Sequence, residues 1–332
     1  MCGIVGYVGD RDCADVLVDA LSKLEYRGYD SAGIAVVEKG VIKVEKCKGR
    51  LANLVDKMAV DGKPQGHCGI GHTRWATHGE PSDINSHPHG NKRVSIVHNG
   101  IIENYKQIKD FLIEEGYSFV SETDTETVAK LLDYYYVDDP VDTIIKVLSE
   151  IKGSYALGIM FRDYPDTVFA VRKECPLIVG VGENENFLAS DVPAIIKYTR
   201  DYYLLEANEI AVVKKDSVQI YDMHKEPVHK EINTADWDVD AAEKGGYEHF
   251  MLKEIHEQPA AVRDTVSPRI INGMPDLSQD GVDMQKLKDY RQIFIVACGT
   301  AMHAGMVGKY VIEKLARKPV IVDIASEFRY RD

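Results

Sequence analysis

Short β-type segments dominate the first two thirds of this 332-residue chain. Between Gly3 and about Tyr221 they alternate polar and apolar residues or run fully apolar, and Gly, Asp, Asn or Pro bounds them, as is typical of strands. They read IVGYV, AGIAVVE, VIKVEKC, VSIVHNG, YALGIMF, TVFAVR, LIVGVG, YLLEANEIAVV and SVQIYD. So many strands within one segment predict stacked sheets.

Helical periodicity appears in four segments between these strands: CADVLVDALSKL, NYKQIKDFLIEEG, TETVAKLLDYYYV and VDTIIKVLSEIKG. Thr123 and Thr125 are candidate caps at the start of the third helix. The first 220 or so residues therefore predict sheets with helices packed over them.

The composition of the chain changes near residue 222. Residues 223–247 are polar and charged and include a Gly-Gly pair, which suits a linker between a first domain at 1–222 and a second at 248–332. From Gln292 the order of apolar strand, Gly turn, amphipathic helix and apolar strand predicts the start of a parallel α/β sheet. Two such strands need neighbouring strands and covering helices, so we expect a truncated second domain.

Composition and charge exclude several classes of protein. The hydrophobic fraction of 45% and the charged fraction of 28% are those of a folded globular chain rather than a disordered or fibrous one. Lys and Arg number 40 and Asp and Glu 53, so the formal net charge is −13, which disfavours nucleic acid as a partner. Neither a membrane span of roughly 18 to 20 apolar residues nor a secretory signal is evident, so we expect a cytoplasmic protein. The six cysteines are scattered, and free thiols are expected.

Cys2 differs from the other five cysteines because it directly follows Met1. A cysteine taken at random is more often a small buried side chain than a nucleophile. Here, however, removal of Met1 would leave a thiol and an α-amine on one residue. The amine, with a pKa of about 7.7 to 8.0, could accept the proton of a thiol whose pKa is about 8.5. Cys2 is therefore a candidate for both nucleophile and base.

Such a nucleophile needs groups that hold the electrophile and donors for an oxyanion. Residues 71–90 (GHTRWATHGEPSDINSHPHG) form an irregular polar run with an Arg, a Trp and four His. In addition, the strand VSIVH ends in Asn99-Gly100, where a side-chain amide and an unhindered backbone N–H can point at one oxygen. These two segments are the candidates for the rest of the site.

Each of these signals also has an ordinary interpretation. Asn-Gly after a strand is most often a hairpin turn. Arg27 could cap a turn, and Asp124 could simply interact with a helix N-terminus. No H-x-x-x-H helix motif and no Cys/His quartet is present, so no metal is expected in spite of the histidines at 67, 72, 78, 87, 89 and 98.

In combination, five motifs make the sequence similar to a known family. Their ordered set resembles the glutaminase half of the glutamine–fructose-6-phosphate aminotransferases, which are class II, or N-terminal-nucleophile, amidotransferases. The motifs are CGIVG at 2–6, RGYDSAG at 27–33, TRWATHG at 73–79, HNGIIEN at 98–104 and SETDTE at 121–126. The segment from Glu248 to Glu257-Gln258-Pro259 resembles the interdomain region of that family. ACGT at 297–300 and ASEFRY at 325–330 resemble the opening of its sugar-isomerase (SIS) domain.

The resemblance implies a fold, a substrate and a set of site residues. The fold is α+β, a four-layer αββα sandwich followed by a truncated α/β SIS-type segment. The substrate is L-glutamine, hydrolysed without a cofactor to glutamate and ammonia through a thioester on Cys2. Asn99 and the Gly100 N–H would hold the oxyanion, Arg74 the α-carboxylate and Asp124 the α-ammonium. Further residues would line, close or flank the site: Trp75, Thr77, His78 and Arg27.

For the full-length enzyme the resemblance implies more than glutamine hydrolysis. There the ammonia aminates fructose 6-phosphate to glucosamine 6-phosphate, and the isomerase half normally dimerises, which leaves a homodimer open. Thr300 is the matched sugar-phosphate contact, although Ala301 stands where many relatives carry Ser. Two alternatives remain: the glutaminase half of another class II amidotransferase, since others also begin Cys-Gly-Ile, and a catalytically silent glutamine-binding fragment.

Overall fold

The structure is a computed structural model that describes residues 2–76, 78–235 and 246–331, apart from the side chains of Phe250 and Lys288. The chain divides into two compact units, Met1–Gly245 and Gly246–Asp332. Within the described ranges, no helix combines the length and apolar character that crossing a membrane requires.

The first unit is built from two antiparallel sheets and five helices, counted over its described residues. The helices are α1 (Cys13–Ser22), α2 (Leu51–Asp61), α3 (Tyr105–Glu114), α4 (Asp124–Tyr135) and α5 (Pro140–Glu150). The strands are β1 (Gly3–Gly9), β2 (Ser31–Glu38), β3 (Val41–Lys48), β4 (Cys68–Arg74), β5 (His89–Gly90), β6 (Val94–Ile102), β7 (Gly153–Phe161), β8 (Thr167–Lys173), β9 (Ile178–Val181), β10 (Glu185–Ala189), β11 (Asp201–Leu204), β12 (Ile210–Lys214), β13 (Val218–Tyr221) and β14 (Asn233–Thr234). The eight-stranded sheet has the order β14-β11-β9-β10-β1-β4-β2-β3, and the six-stranded sheet has the order β13-β12-β8-β7-β6-β5.

These elements form four layers, and a hydrophobic cluster lies between each pair of adjacent layers. Helices α1 and α2 cover the outer face of the larger sheet, where Leu17 and Leu54 are fully buried. Ile4 and Val97 belong to the cluster shared by the two sheets. Helices α3 to α5 cover the other face of the smaller sheet, with Leu132 in their cluster. The predicted αββα sandwich is confirmed, and strands covered on both faces explain the nearly continuous apolar runs.

The start of α4 is fixed by side chains that satisfy its free backbone N–H groups. Thr123 is the N-cap, and its hydroxyl accepts a hydrogen bond from the Glu126 N–H at 3.3 Å. The Glu126 carboxylate reaches back past the N-cap and accepts from the Ser121 N–H at 2.6 Å, and the Thr123 N–H donates to the Ser121 hydroxyl at 3.3 Å. The predicted cap at Thr123 is confirmed. The one at Thr125 is wrong, because Thr125 lies inside the first turn.

The second unit contains one long helix, a short hairpin and a strand-helix-strand segment. In chain order these are α6 (Phe250–Val266), β15 (Ile270–Ile271), β16 (Met274–Pro275), β17 (Ile293–Ala297), α7 (Gly299–Ala316), β18 (Val320–Ile324) and α8 (Ala325–Phe328). Strands β17 and β18 pair in parallel, with Ile293 opposite Val320. The predicted parallel α/β segment is therefore confirmed.

Among the described residues of the first unit, the strand predictions differ from the structure at β4, at β10, at the two-residue strands β5 and β14, and in the run YLLEANEIAVV. Strands β4 and β10 were not predicted, because His72, Thr73 and Arg74 in β4 and Glu185 and Asn186 in β10 are polar yet buried. The run YLLEANEIAVV is not one strand. It divides into β11 and β12, which belong to different sheets.

The predicted linker at 223–247 begins later than its composition suggested. Strand β14 pairs with β11 in the larger sheet, with Thr234 opposite Asp201, and Ala235 is buried. Residues up to 235 thus pack on the first unit. Residues 236–245 of the predicted linker lie outside the described part of the chain.

Candidate active site

One cavity of about 360 Å³ in the first unit collects most of the predicted site residues. Its walls come from the residue that precedes β1, the end of β4, the end of β6 and the start of α4. The predicted residues that line it are Cys2, Arg27, Arg74, Trp75, His78, Asn99, Gly100 and Asp124. Of the other two, Thr77 lies outside the described residues, and Thr300 lies in the second unit near the start of α7.

The Cys2 thiol lies at the cavity wall and is held by backbone groups. Its Sγ accepts a hydrogen bond from the Trp75 N–H at 3.2 Å and lies 3.5 Å from the Trp75 carbonyl oxygen. Burial raises the pKa of the Cys2 thiol, and this outweighs the Trp75 N–H, which lowers it. In the described part of the chain, no side chain hydrogen bonds to Sγ. The thiol therefore needs a base that the surrounding side chains do not supply.

The Asn99 side chain bridges the two sheets at the cavity. Its Nδ2 donates to the Cys2 carbonyl oxygen at 3.2 Å, and its Oδ1 lies 3.0 Å from His72 Nε2. Asn99 pairs with Ala156 of β7 inside the β6 ladder. The ordinary interpretation of Asn-Gly as a hairpin turn is therefore wrong, because the strand continues to Ile102.

Gly100 occupies a position that excludes a side chain. Its φ of +122° lies outside the range that L-residues normally adopt, and a Cβ there would come within 2.1 Å of the Ser154 carbonyl oxygen. Only glycine therefore lets the backbone at this point of the cavity lie so close to β7.

Arg74 lines the cavity, and one of its guanidinium nitrogens is without a hydrogen-bond partner among the described residues. Its side chain is buried, and Nη2 donates to the carbonyl oxygens of His78 and of Gly79, the latter at 2.9 Å. Nη1 is also buried but has no hydrogen-bond partner among the described residues. A buried cationic donor without a partner fits an anionic ligand such as a carboxylate.

Two aromatic rings flank this part of the cavity. The Trp75 ring is half exposed and packs edge-on against Tyr29, with 5.7 Å between ring centroids. The His78 ring packs edge-on against Tyr105 at 5.4 Å. These ring contacts and the hydrogen bonds of Arg74 hold Trp75, His78 and Gly79 in place.

Asp124 and Arg27 are both buried, and both make hydrogen bonds within the first unit. Asp124 is the first residue of α4, and its Oδ2 accepts from the Ile102 N–H at 2.8 Å, which holds the end of β6. Among the described residues, its Oδ1 has only a 3.4 Å contact with the Thr125 hydroxyl, so this oxygen can accept a further hydrogen bond. Arg27 lies in a 3₁₀ turn and pairs with Asp191 at 2.8 Å. The helix-terminus interpretation of Asp124 is therefore incomplete, since the residue also faces the cavity.

Four buried histidines form a packed group beside the cavity: His72, His87, His89 and His98. The rings of His72 and His87 stack at 4.2 Å, and those of His87 and His89 meet edge-on at 4.9 Å. Burial lowers the pKa of His72 to about 3 and lowers the pKa of the other three as well. Within the described ranges, no three His, Cys, Asp or Glu side chains are grouped as metal ligands. These histidines are therefore neutral hydrogen-bonding groups near pH 7.

The buried histidines predict a loss of stability in mild acid. Below about pH 6.5 the unfolded chain binds protons at these residues, whereas the folded chain does not. The free energy of unfolding therefore decreases as the pH is lowered from 7 toward 5. Each histidine contributes at most about 1.4 kcal/mol per pH unit. Urea unfolding followed by circular dichroism between pH 8 and pH 5 measures this slope. His87→Gln should reduce the slope, whereas the exposed control His224→Gln should not. Equal slopes in all three proteins would contradict the interpretation.

Sequence reasoning missed several residues that line the cavity. His87, His98, Thr123 and Thr125 all lie within or beside motifs that had been recognised. The histidines were considered only as metal ligands. Other missed residues gave no local signal, because long-range pairing of the sheets brings them to the cavity: Ser154, Cys175 and Pro176.

Comparison with protein-family models matches residues 72–197 to a glutamine amidotransferase domain and residues 286–332 to a SIS domain. Curated relatives include the glutamine–fructose-6-phosphate aminotransferases of Caldanaerobacter subterraneus subsp. tengcongensis, 58% identical, Clostridium acetobutylicum, 57% identical, and Thermus thermophilus, 47% identical. Each match covers 100% of this chain and 55% of the relative, so the chain spans about half the length of these proteins.

Two solved structures share the fold. The glutamine phosphoribosylpyrophosphate amidotransferase from B. subtilis matches with a TM-score of 0.61 and 18% identity, over 97% of this chain and 65% of its own. A structure described as the allosteric regulatory enzyme of purine biosynthesis matches with a TM-score of 0.60 and 24% identity, over 67% of this chain and 49% of its own. At these identities the likeness supports the fold alone.

The first unit therefore contains a glutamine amidotransferase domain, matched over residues 72–197, and it has the fold of these two solved structures. Along its whole length the chain is homologous to the glutamine–fructose-6-phosphate aminotransferases, and it carries a glutamine amidotransferase domain and the start of a SIS domain. The resemblance predicted from the motifs is confirmed.

Proposed function

We propose that this chain hydrolyses L-glutamine to L-glutamate and ammonia in the cavity of its first unit. The observation that carries the proposal is the meeting of three groups at one cavity. These are the Cys2 thiol, the Asn99 amide and the buried guanidinium of Arg74, whose Nη1 has no partner in the described part of the chain. Together they offer a nucleophile, an oxyanion donor and an anchor for a carboxylate.

Arg74 and Asp124 select a free amino acid. Arg74 Nη1 would donate to the α-carboxylate of glutamine, and Asp124 Oδ1 would accept from its α-ammonium group. Both side chains are buried, so each is worth more than the same contact on the surface. Trp75, Thr77 and His78 would close over the bound glutamine, with Arg27 at the mouth of the cavity.

Cys2 performs the covalent step after Met1 has been removed. Its α-amine takes the thiol proton, Sγ attacks the side-chain amide carbon, and a tetrahedral adduct forms. The amine returns the proton to the amide nitrogen, the C–N bond breaks, and ammonia leaves with a γ-glutamyl thioester behind. Water then attacks the thioester, which releases glutamate and restores the thiol. Burial raises the pKa of the Cys2 thiol, which favours a mechanism in which an adjacent base takes its proton.

The oxyanion of both tetrahedral adducts lies between the Asn99 Nδ2 and the Gly100 backbone N–H. Loss of one such donor generally costs on the order of 10² to 10³ in rate. Gly100 has a φ of +122°, which residues with a side chain rarely adopt. No metal or organic cofactor takes part in these steps.

Further proposals concern the whole protein. In the full-length enzyme, we propose, the ammonia aminates fructose 6-phosphate to glucosamine 6-phosphate, and Thr300 contributes to the sugar-phosphate site. We also propose a homodimer through the isomerase half and a cytoplasmic location, both of which the resemblance to the aminotransferases implies. The net charge of −13 argues against nucleic acid as a partner.

Incubation of this chain with glutamine alone tests the proposed reaction. We expect one glutamate and one ammonia for each glutamine consumed, without fructose 6-phosphate, because the hydrolytic cavity lies wholly within the first unit. Enzymatic assays for both products, run in parallel with calorimetry, give the stoichiometry. Heat of binding without sustained turnover would instead identify a silent glutamine-binding fragment.

A further inference from the structure

His72 is a fully buried side chain in the middle of β4, with neighbouring strands on both sides. In the ladder it lies opposite Ile4 of β1 and Gly33 of β2. Its Nε2 is 3.0 Å from Asn99 Oδ1 and 3.0 Å from the His98 carbonyl oxygen. The ring thus connects the larger sheet to the residue that carries the oxyanion amide.

The hydrogen-bond partners fix where the proton of His72 lies. Both atoms near Nε2 are oxygens that can only accept, so Nε2 must be the donor. Nδ1 has no hydrogen-bond partner among the residues that the structure describes, and a proton there would leave both oxygens without a donor. The neutral ring with its proton on Nε2 is the consistent tautomer. The stacked ring of His87 restrains its plane.

The same pattern fixes the Asn99 amide. With Oδ1 toward His72, Nδ2 donates to the Cys2 carbonyl oxygen at 3.2 Å and keeps a second N–H for another acceptor. An amide rotated by half a turn would set Oδ1 against the Cys2 carbonyl oxygen, which places two acceptors together. It would also present an oxygen where an oxyanion develops. The orientation set by His72 is therefore the one that stabilises negative charge next to Cys2.

We propose that His72 is a positioning residue for glutamine hydrolysis: its Nε2–H holds Asn99 Oδ1 and thereby aims Asn99 Nδ2 at the oxyanion. The proposal rests on the proposed function, since it needs Asn99 to act as an oxyanion donor. It assigns His72 no contact with glutamine and no proton transfer. The residue acts only through Asn99.

A matched pair of amide variants tests this role. The amide nitrogen of His72→Gln reaches about as far as Nε2 and can still donate to Asn99 Oδ1, whereas that of His72→Asn is too short. We expect kcat for glutamate release to fall on the order of 10²-fold in His72→Asn and less than about 10-fold in His72→Gln. The KM for glutamine should change little in either, because neither variant touches Arg74 or Asp124.

Two further measurements separate positioning from a merely structural role. In a double-mutant cycle, adding His72→Asn to Asn99→Ala should lower kcat by less than about threefold, because the amide to be aimed is already gone. Alkylation of Cys2 by iodoacetamide, followed on the N-terminal peptide by mass spectrometry, forms no oxyanion. Its rate should stay within about threefold of the wild type in both His72 variants.

Several outcomes would overturn the proposal. They are additive losses in the cycle, an alkylation rate that falls together with kcat, and a His72→Gln variant as slow as expected for His72→Asn. If His72→Asn does not fold, His72→Gln still tests the proposal, because a slow His72→Gln variant would overturn it. If Asn99→Ala alone keeps the wild-type rate, the proposed oxyanion site fails. If Asn99→Ala is slow but the His72 effect is additive, only the role of His72 fails.

Discussion

Replacement of Cys2 by Ala should abolish the release of glutamate and ammonia, with a loss on the order of 10⁴-fold or more. The thiol is the group that forms the thioester, and alanine leaves water as the only nucleophile. The substitution removes one buried sulfur at the cavity wall and leaves the Trp75 backbone in place. Initial rates of glutamate release at saturating glutamine measure the loss.

Cys175 provides the matched control for this substitution. It is a second free cysteine that lines the same cavity, and it is partly buried like Cys2. Cys175→Ala should keep most of the wild-type rate, within about threefold, because the proposed reaction uses only the thiol of Cys2. A Cys2→Ala protein as fast as the wild type, or a Cys175→Ala protein without activity, would show that the nucleophile has been misassigned.

Replacement of Arg74 by Met should raise the KM for glutamine on the order of 10²-fold, since truncating one partner of a buried charge pair costs about 2 to 5 kcal/mol. The expected cause is the loss of the Nη1 donor, which is buried and has no partner within the described ranges. Arg74→Lys keeps the positive charge but loses the paired N–H donors of the guanidinium. Its KM for glutamine should therefore lie between those of the wild type and Arg74→Met. Steady-state rates over a range of glutamine concentrations give these values.

The α-amide of glutamine provides the control on the substrate side. The wild type should discriminate strongly against this analogue, because the analogue lacks the carboxylate that Arg74 would bind. Arg74→Met should lose most of that discrimination, whereas a variant that merely loosened the backbone at His78 and Gly79 would slow both substrates equally. Unchanged discrimination in Arg74→Met would remove the carboxylate role from Arg74.

The layers of the fold could be predicted from the sequence, but strand β4 at the site could not. Residues 71–90 read as an irregular polar run, yet Gly71 to Arg74 belong to a central strand. His72 can be buried there because its Nε2–H donates to Asn99 Oδ1 and to the His98 carbonyl oxygen, both in the opposite sheet. Hydrophobic periodicity cannot report a polar side chain whose partners lie in another layer.

The candidate site was likewise predictable from the sequence only in part. Motifs identified Cys2, Asn99 and Gly100, because the chemistry of an N-terminal thiol and of an oxyanion donor restricts residue types. The motifs did not show that Asn99 continues a strand, since that depends on its pairing with Ala156 of β7. They also could not show that the Arg27 guanidinium is already paired with Asp191, a partner far along the chain.

The central claim is that Cys2, as the first residue of the mature chain, carries the glutamyl group during hydrolysis. Acid quenching during steady-state turnover, followed by mass spectrometry of the N-terminal peptide, tests it directly. The account predicts a peptide that begins at Cys2, without Met1, and carries one glutamyl group on sulfur that hydroxylamine removes. An active protein whose N-terminal peptide retains Met1, or whose glutamyl group is on another residue such as Cys175, would contradict it.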